Sequence, residues 1–121
     1  MKRTSTLFML FACLIGTTIA AENSLAADPH ISPNEMATSF YLPLAEGGDA
    51  YAQLVMGEMN AAGDGVDQNK VAAYAWFHVA ASNGADEAIQ QKEQLLKSMA
   101  DADKQQALHL SKTFEKYYTF R

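Results

Sequence analysis

The residues that could serve metal or acid–base chemistry are few and far apart in the chain. The three histidines, His30, His78 and His109, do not have the spacing of a metal site. The sequence contains neither a His-Glu-x-x-His motif nor a Gly-x-Ser-x-Gly motif. We therefore expect no metal and no cofactor.

Paired carboxylates are the other candidates for catalysis. They occur at Asp86 and Glu87 and at Asp101 and Asp103, where two helices are expected to begin. The helix dipole favours negative charge there, and capping explains them without chemistry. The Gly-x-Gly at residues 63–65 is too short for a phosphate loop. No nucleophile, base and oxyanion donor assemble, so we predict a protein without catalytic activity.

The most regular part of the chain predicts two helices joined by a tight turn. The first helix is expected over residues 49–61, with Asp49 near its N-cap, and the second over residues 69–82. The glycines of the 63–65 turn supply positive φ angles, and Gly84 follows the second helix, where a C-terminus favours glycine. The prediction is an antiparallel α-hairpin.

The chain also repeats its own small residues. Ala45, Gly48 and Ala52 recur as Ala81, Gly84 and Ala88, 36 positions later in each case (81−45, 84−48, 88−52). A fixed period of this length is typical of a solenoid of stacked helix pairs.

These motifs together resemble a Sel-one-like repeat (SLR), a relative of the tetratricopeptide repeat. The resemblance rests on Gly-Asp-Ala-Tyr-Ala-Gln at 48–53, Met-Gly-Glu-Met at 56–59, Gly-Asp-Gly-Val at 63–66, Ala-Tyr-Ala-Trp-Phe at 73–77 and Ala-Ala-Ser-Asn-Gly at 80–84. Its signature residues here are Gly48, Ala52, Gly57, Gly63, Gly65, Ala73, Trp76, Phe77, Ala80, Ala81, Gly84 and Ala88. The resemblance implies an all-α antiparallel helix-pair solenoid in which Trp76 and Phe77 are core residues.

Four segments follow from this reading. Residues 1–27 are a signal peptide, and residues 28–47 hold an N-terminal capping helix. Residues 48–84 form the SLR hairpin, the one full unit. Residues 85–121 hold a degenerate second repeat helix and a C-terminal capping helix.

The N-terminal segment has the organisation of a secretory signal. Lys2 and Arg3 precede an apolar stretch at residues 7–19 that is too short to span a membrane. The cleavage site is expected in the range from Ala20 to Ala27, preferably between Ala26 and Asp28. A retained membrane anchor and a lipoprotein cut at Cys13 are the alternatives. Cleavage would leave an exported protein, periplasmic or secreted, with no disulfide and no membrane span.

The flanking helices have apolar residues at helical spacing. In the first these are Met36, Phe40, Tyr41 and Leu44, and in the last Ala107, Leu110, Phe114 and Tyr117. Residues 32–35 read as a capping box with proline at the first helical position. Pro43 is expected to bend or end the first helix near Leu42. The aromatic tail of Tyr117, Tyr118 and Phe120 either closes the core or forms a partner patch.

One face of the first hairpin helix is the candidate binding surface. Its residues are Tyr51, Val55 and Glu58, and their counterparts in the second, degenerate unit are Glu87, Gln91 and Gln94. Tyr51 and Val55 either meet the preceding helix or line the inner groove where such solenoids bind ligands. The net charge of −5 and pI near 5.0 argue against nucleic acid.

The function that this reading predicts is binding of a protein or peptide partner. Two alternatives stay open. One is a periplasmic enzyme or binder acting on penicillin-like or cell-wall ligands, as described for some exported, disulfide-rich members of the family, although this chain lacks their cysteines. The other is a structural subunit, a homo-oligomer among the options, that is stable only in an assembly, because the chain has fewer than the three repeats that such stacks usually need.

Overall fold

The computed structural model describes residues 32–120, and this range contains five α-helices and no β-strand. The helices are α1 (Pro33–Glu46), α2 (Ala50–Ala62), α3 (Lys70–Ser82), α4 (Glu87–Ser98) and α5 (Asp101–Tyr118). The predicted all-α class is confirmed. The predicted signal peptide lies outside the described residues.

The hairpin of α2 and α3 is antiparallel, and α3 lies in the middle of the helices. The start of α2 meets the end of α3 through a hydrogen bond from Asn83 Nδ2 to Gln53 Oε1 (2.9 Å), so these two helices are antiparallel. The end of α5 meets the end of α3, where the Phe120 amide donates to Asn83 Oδ1 (2.8 Å). Helix α3 also packs on α4, so it has neighbours on three sides. The described residues thus form a short helical solenoid.

The N-termini of the first three helices are fixed by side-chain caps. Ser32 and Glu35 form the predicted capping box at the start of α1. Asp49 accepts from the Ala52 amide (2.7 Å) at the start of α2, and Asn69 accepts from the Ala72 amide (3.0 Å) at the start of α3. These polar side chains satisfy amides that a helix leaves unpaired, which is why the helices begin where the sequence predicts.

The last two helices begin without side-chain caps. The N-cap residues are Asp86 for α4 and Ala100 for α5, and neither makes a side-chain cap hydrogen bond. The carboxylates of Glu87, Asp101 and Asp103 lie in the first turns instead. The prediction that carboxylates cap these two helices is therefore wrong, but negative charge in the first turn is still favoured by the helix dipole.

The prediction that Pro43 bends or ends the first helix near Leu42 is wrong as far as the end is concerned. Helix α1 continues through Pro43 to Glu46. Proline removes the hydrogen bond to the carbonyl four residues earlier, that of Ser39, and both residues are exposed, so water can solvate that carbonyl. The next turn is held by Ala45, which is fully buried against the core.

The core is centred on the two aromatic residues of α3. Trp76 packs with the alanines and methionines of α1 and α2, and its ring lies 4.7 Å from that of Phe114 and 5.4 Å from that of Tyr118. Phe77 lies on the other side of α3 in a second cluster with Leu54 and Ala88. Both rings are buried, as predicted. The Trp76 cluster therefore joins α3 to α1, α2 and α5, and the Phe77 cluster joins it to α2 and α4.

Helix α1 turns a different face to the core than the spacing of its large residues suggests, whereas in α5 the predicted Ala107 and Phe114 do pack on the core. In α1, Tyr41 is half-buried but Met36, Phe40 and Leu44 are exposed. In α5, the exposed residue is Tyr117, and the adjacent Tyr118 packs on Trp76 instead. The aromatic tail is therefore split between core closure by Tyr118 and exposed rings at Tyr117 and Phe120.

Buried polar side chains anchor the end of α5. Gln53, which is fully buried, donates from Nε2 to the carbonyls of Ala45 (2.9 Å) and Tyr118 (3.0 Å). Asn83 Nδ2 donates to the same Tyr118 carbonyl (2.9 Å). These hydrogen bonds connect the ends of α1, α3 and α5 to the first turns of α2.

Gly57 allows the closest approach between α2 and α3. A Cβ atom on Gly57 would lie 2.5 Å from two ring carbons of Phe77, whose ring is buried. Alanine normally stabilises a helix interior by about 1 kcal/mol relative to glycine. Here overpacking of about 1–3 kcal/mol opposes that gain, because the ring has no room to move.

We therefore expect Gly57→Ala to lower the free energy of unfolding by up to about 2 kcal/mol. Urea unfolding followed by circular dichroism measures this loss. The same substitution should cost less in a Phe77→Leu background, because the smaller side chain leaves room for the methyl group. An equal loss in both backgrounds would show that the ring contact is not the cause.

Candidate binding surface

The predicted face of α2 points away from the core because the opposite side of the helix is buried. Ala52, Met56 and Met59 pack inward. Tyr51 and Glu58 are exposed, with 64% of Tyr51 accessible, and Val55 is half-buried. The three residues share one side of the helix, as predicted, and the side is open to solvent at both of its ends.

The two ends of this face have different neighbours. Tyr51 meets the preceding helix, where its ring lies 6.3 Å from that of Tyr41. Val55 packs against the same core cluster as Tyr41. The contact with the preceding helix is thus present, but it leaves most of the Tyr51 ring exposed.

The other end of the face continues onto α4. Gln91 Nε2 donates to Glu58 Oε1 (3.0 Å), so the structure brings together two of the predicted residues from different repeat units. Gln91 and Gln94 also line a shallow groove of about 340 Å³ between the ends of α2 and α4. The groove is lined by Ala61, Lys70, Phe77, Gln91, Gln94, Leu95 and Ser98. Glu87 lies exposed in the first turn of α4.

Sequence analysis did not identify α1 as part of the surface. Met36, Phe40 and Leu44 are 61%, 64% and 44% exposed. They stand four residues apart, so they form one ridge along the helix. The Phe40 ring lies 5.2 Å from that of Tyr41, which in turn contacts Tyr51. The exposed apolar surface therefore runs from α1 across Tyr41 to α2.

The small residues of α1 are the sequence feature that could have predicted which side of this helix is exposed. Ala37 and Ala45, together with Tyr41, repeat at every fourth position and pack on the core, as does Leu42. Alanines on one side of a helix permit close approach of a neighbour, which leaves the larger side chains of the adjacent stripe outside.

The charged side chains of α1, α2 and the segments that connect them have one sign. Between Ser32 and Asn69 the chain has six acidic side chains, all exposed, and no basic one. They are Glu35, Glu46, Asp49, Glu58, Asp64 and Asp67. The first basic residue of the described range is Lys70. The surface of α1 and α2 is therefore both apolar and negatively charged.

A cluster of titratable side chains joins α3, α4 and α5. His78 Nε2 lies 3.4 Å from Glu115 Oε2, and His78 Nδ1 lies 3.5 Å from Lys92 Nζ. The rings of His78 and Tyr74 are stacked, and burial raises the pKa of the Tyr74 hydroxyl above its ordinary value. In the tautomer with the proton on Nε2, the ring donates to Glu115 and accepts from Lys92. These contacts connect α3 to α4 and α5 through polar side chains.

The remaining candidates for ligand chemistry lie apart from this surface. His109 lines a largely apolar groove of about 450 Å³ with Val71, Gln105, Gln106 and Leu110. Among residues 32–120 no group of three or more histidine, cysteine, aspartate or glutamate side chains is arranged to hold a metal ion. In the same range no helix has both the length and the apolar character needed to cross a membrane.

Comparison with known proteins returns no match to any protein-family model and no similar curated protein. The resemblance to Sel-one-like repeats therefore stays a prediction that depends on the motifs of residues 48–84.

Proposed function

We propose that this chain is an exported, non-catalytic module of the Sel-one-like kind that binds a protein or peptide partner through the Tyr51–Val55–Glu58 face. The observation that carries the proposal is the exposed Tyr51 ring on a face that is fixed by packing behind it. Tyrosine in such a position supplies contact area at low entropic cost, and residues of this type often dominate protein interfaces.

The position of the face supports the same proposal. Its neighbours are the apolar ridge of α1 on one side and the Glu58–Gln91 contact with α4 on the other. A partner that lay along α2 would therefore contact three helices whose mutual positions are set by the core. Such a preorganised surface loses little conformational entropy on binding.

Partner capture tests this proposal. We expect Tyr51→Ala to weaken binding of the captured partner at least about tenfold, as for an aromatic residue central to an interface. The measurement is chemical crosslinking in the native host, followed by mass spectrometry and a competition assay with each variant. Tyr51→Ala combined with Val55→Asp should abolish capture, provided that circular dichroism shows an unchanged helical fold.

Tyr117→Ala is the matched control, because Tyr117 is 65% exposed against 64% for Tyr51 but lies on α5. The Tyr117→Ala protein should capture the partner in the same yield as the unmodified protein. If the Tyr51→Ala protein captures the same partners in the same yield as the unmodified protein, the proposed face is wrong. Loss of capture with Tyr117→Ala alone would assign the function to the C-terminal tail instead.

A further inference from the structure

The exposed apolar residues of α1 and α2 form a continuous surface with an acidic border. We define the α1 ridge as Met36, Phe40 and Leu44, with Tyr51 as its extension on α2. All four side chains are more than two-fifths exposed. Met36 and Leu44 are eight residues apart, so at 1.5 Å per residue the ridge extends about 12 Å along α1.

Carboxylates stand at both ends of the ridge. Glu46 and Asp49 lie where α1 ends and α2 begins. At the other end, Glu35 lies in the first turn of α1, and the 63–65 turn lies against that turn, since Thr38 Oγ1 donates to the Gly65 carbonyl (3.3 Å). This contact places the neighbouring Asp64 at the same end of α1, on the side of Asn34 and Thr38 and not on the ridge itself.

We infer that the α1 ridge binds a basic amphipathic helix of a partner protein. The inference rests on the proposed function and deepens it by naming the chemical class of the partner. Apolar side chains four residues apart on the partner would pack along Met36, Phe40 and Leu44, which is the usual contact between two helices. Lysine or arginine residues beside that stripe would face the carboxylates of the border.

The acidic charges favour a basic helix over a second copy of the chain or a membrane as the partner of this apolar helix face. In a symmetric contact with a second copy of the chain, the same acidic border would meet itself, and like charges would oppose association. The surface of an anionic membrane would be repelled in the same way. A basic partner is the one for which apolar contact and charge act together.

A synthetic helix provides the direct test. The probe is a peptide of about 18 residues made of leucine and lysine at amphipathic helical spacing, and its counterpart has glutamate in place of every lysine. We expect isothermal titration calorimetry to detect binding of the leucine–lysine peptide and no binding of the leucine–glutamate peptide. The Kd should rise as salt is increased from low to physiological ionic strength, because the charged border is exposed.

Two protein variants locate the site. Phe40→Ser should weaken binding of the leucine–lysine peptide at least about tenfold. Leu108→Ser, at a 45% exposed apolar residue of α5, should leave the Kd unchanged. Equal binding by the Phe40→Ser protein, or equal binding of the leucine–glutamate peptide, would overturn the inference. A dimer seen by light scattering that Phe40→Ser dissociates would also overturn it, by showing that a second copy covers the ridge.

The outcomes separate this inference from the proposed function. Loss of native partner capture with Tyr51→Ala, together with no binding of the leucine–lysine peptide, would leave the proposed function standing and reject the basic helix. Unchanged capture with Tyr51→Ala, together with peptide binding that depends on Phe40, would reject the proposed face and place recognition on α1.

Discussion

Replacing Trp76 by alanine is expected to lower the free energy of unfolding by about 3–5 kcal/mol. The indole is 5% exposed and lies between α1, α2 and α5, where it contacts Phe114 and stacks on Tyr118. Its removal would leave a cavity that three helices would have to collapse together to fill. Since small domains are stable by about 5–15 kcal/mol, this single change could unfold much of the protein.

Urea unfolding at 25 °C, followed by circular dichroism at the helical minimum, measures the loss. Trp76→Phe should cost less, about 1–2 kcal/mol, because the smaller ring fills part of the same space. Leu108→Ala removes an exposed side chain and should change stability by no more than about 0.5 kcal/mol. A loss below about 1 kcal/mol for Trp76→Ala would mean that the indole does not hold these helices together.

The hairpin of α2 and α3 could be predicted from sequence because its signals are local. Asp49 and Asn69 cap their helices through bonds that span three residues. Gly63 has φ +79° at the end of α2, and such a backbone angle strongly favours glycine. Local geometry of this kind depends little on the rest of the molecule.

The orientation of α1 could not be predicted in the same way. Its large apolar residues have helical spacing, but α2 receives the stripe with Ala37, Tyr41 and Ala45. Which of two adjacent stripes is buried depends on the shape of the neighbouring helix. The alternation of small and large residues predicts the buried stripe only when the shape of the neighbouring helix is known. The α1 ridge became visible for this reason only in the structure.

The role of Gln53 likewise depends on distant residues. The predicted hairpin includes Gln53 at the start of α2, but its hydrogen-bond partners lie up to 65 positions away. Its Nε2 donates to two carbonyls and its Oε1 accepts from Asn83, so all three hydrogen bonds are made where the side chain is fully buried. A buried amide with satisfied partners is strongly position-specific, because unpaired polar groups there are costly.

We expect Gln53→Ala to lower the free energy of unfolding by about 3 kcal/mol, from lost hydrogen bonds and an unfilled space. The Ala45 carbonyl would lose its side-chain donor, and the Tyr118 carbonyl would keep only Asn83. Because α5 ends at this point, its last turn should also exchange amide hydrogens faster. Urea unfolding gives the free energy, and hydrogen exchange monitored by NMR locates the loosened segment at residues 114–120.

Two matched variants decide whether the hydrogen bonds are the cause. Gln53→Glu keeps the size of the side chain and can still accept from Asn83, but an ionised carboxylate cannot donate to the two carbonyls, so it should destabilise at least as much as alanine. Gln68 also donates from Nε2 to a carbonyl, that of Ala61 (3.0 Å), but it is exposed, and Gln68→Ala should cost less than about 1 kcal/mol. If Gln53→Ala and Gln68→Ala lower the free energy of unfolding by the same amount, burial of the amide does not increase the contribution of its hydrogen bonds to stability. If the last turn of α5 exchanges no faster in Gln53→Ala, Asn83 alone is enough to hold the end of the chain.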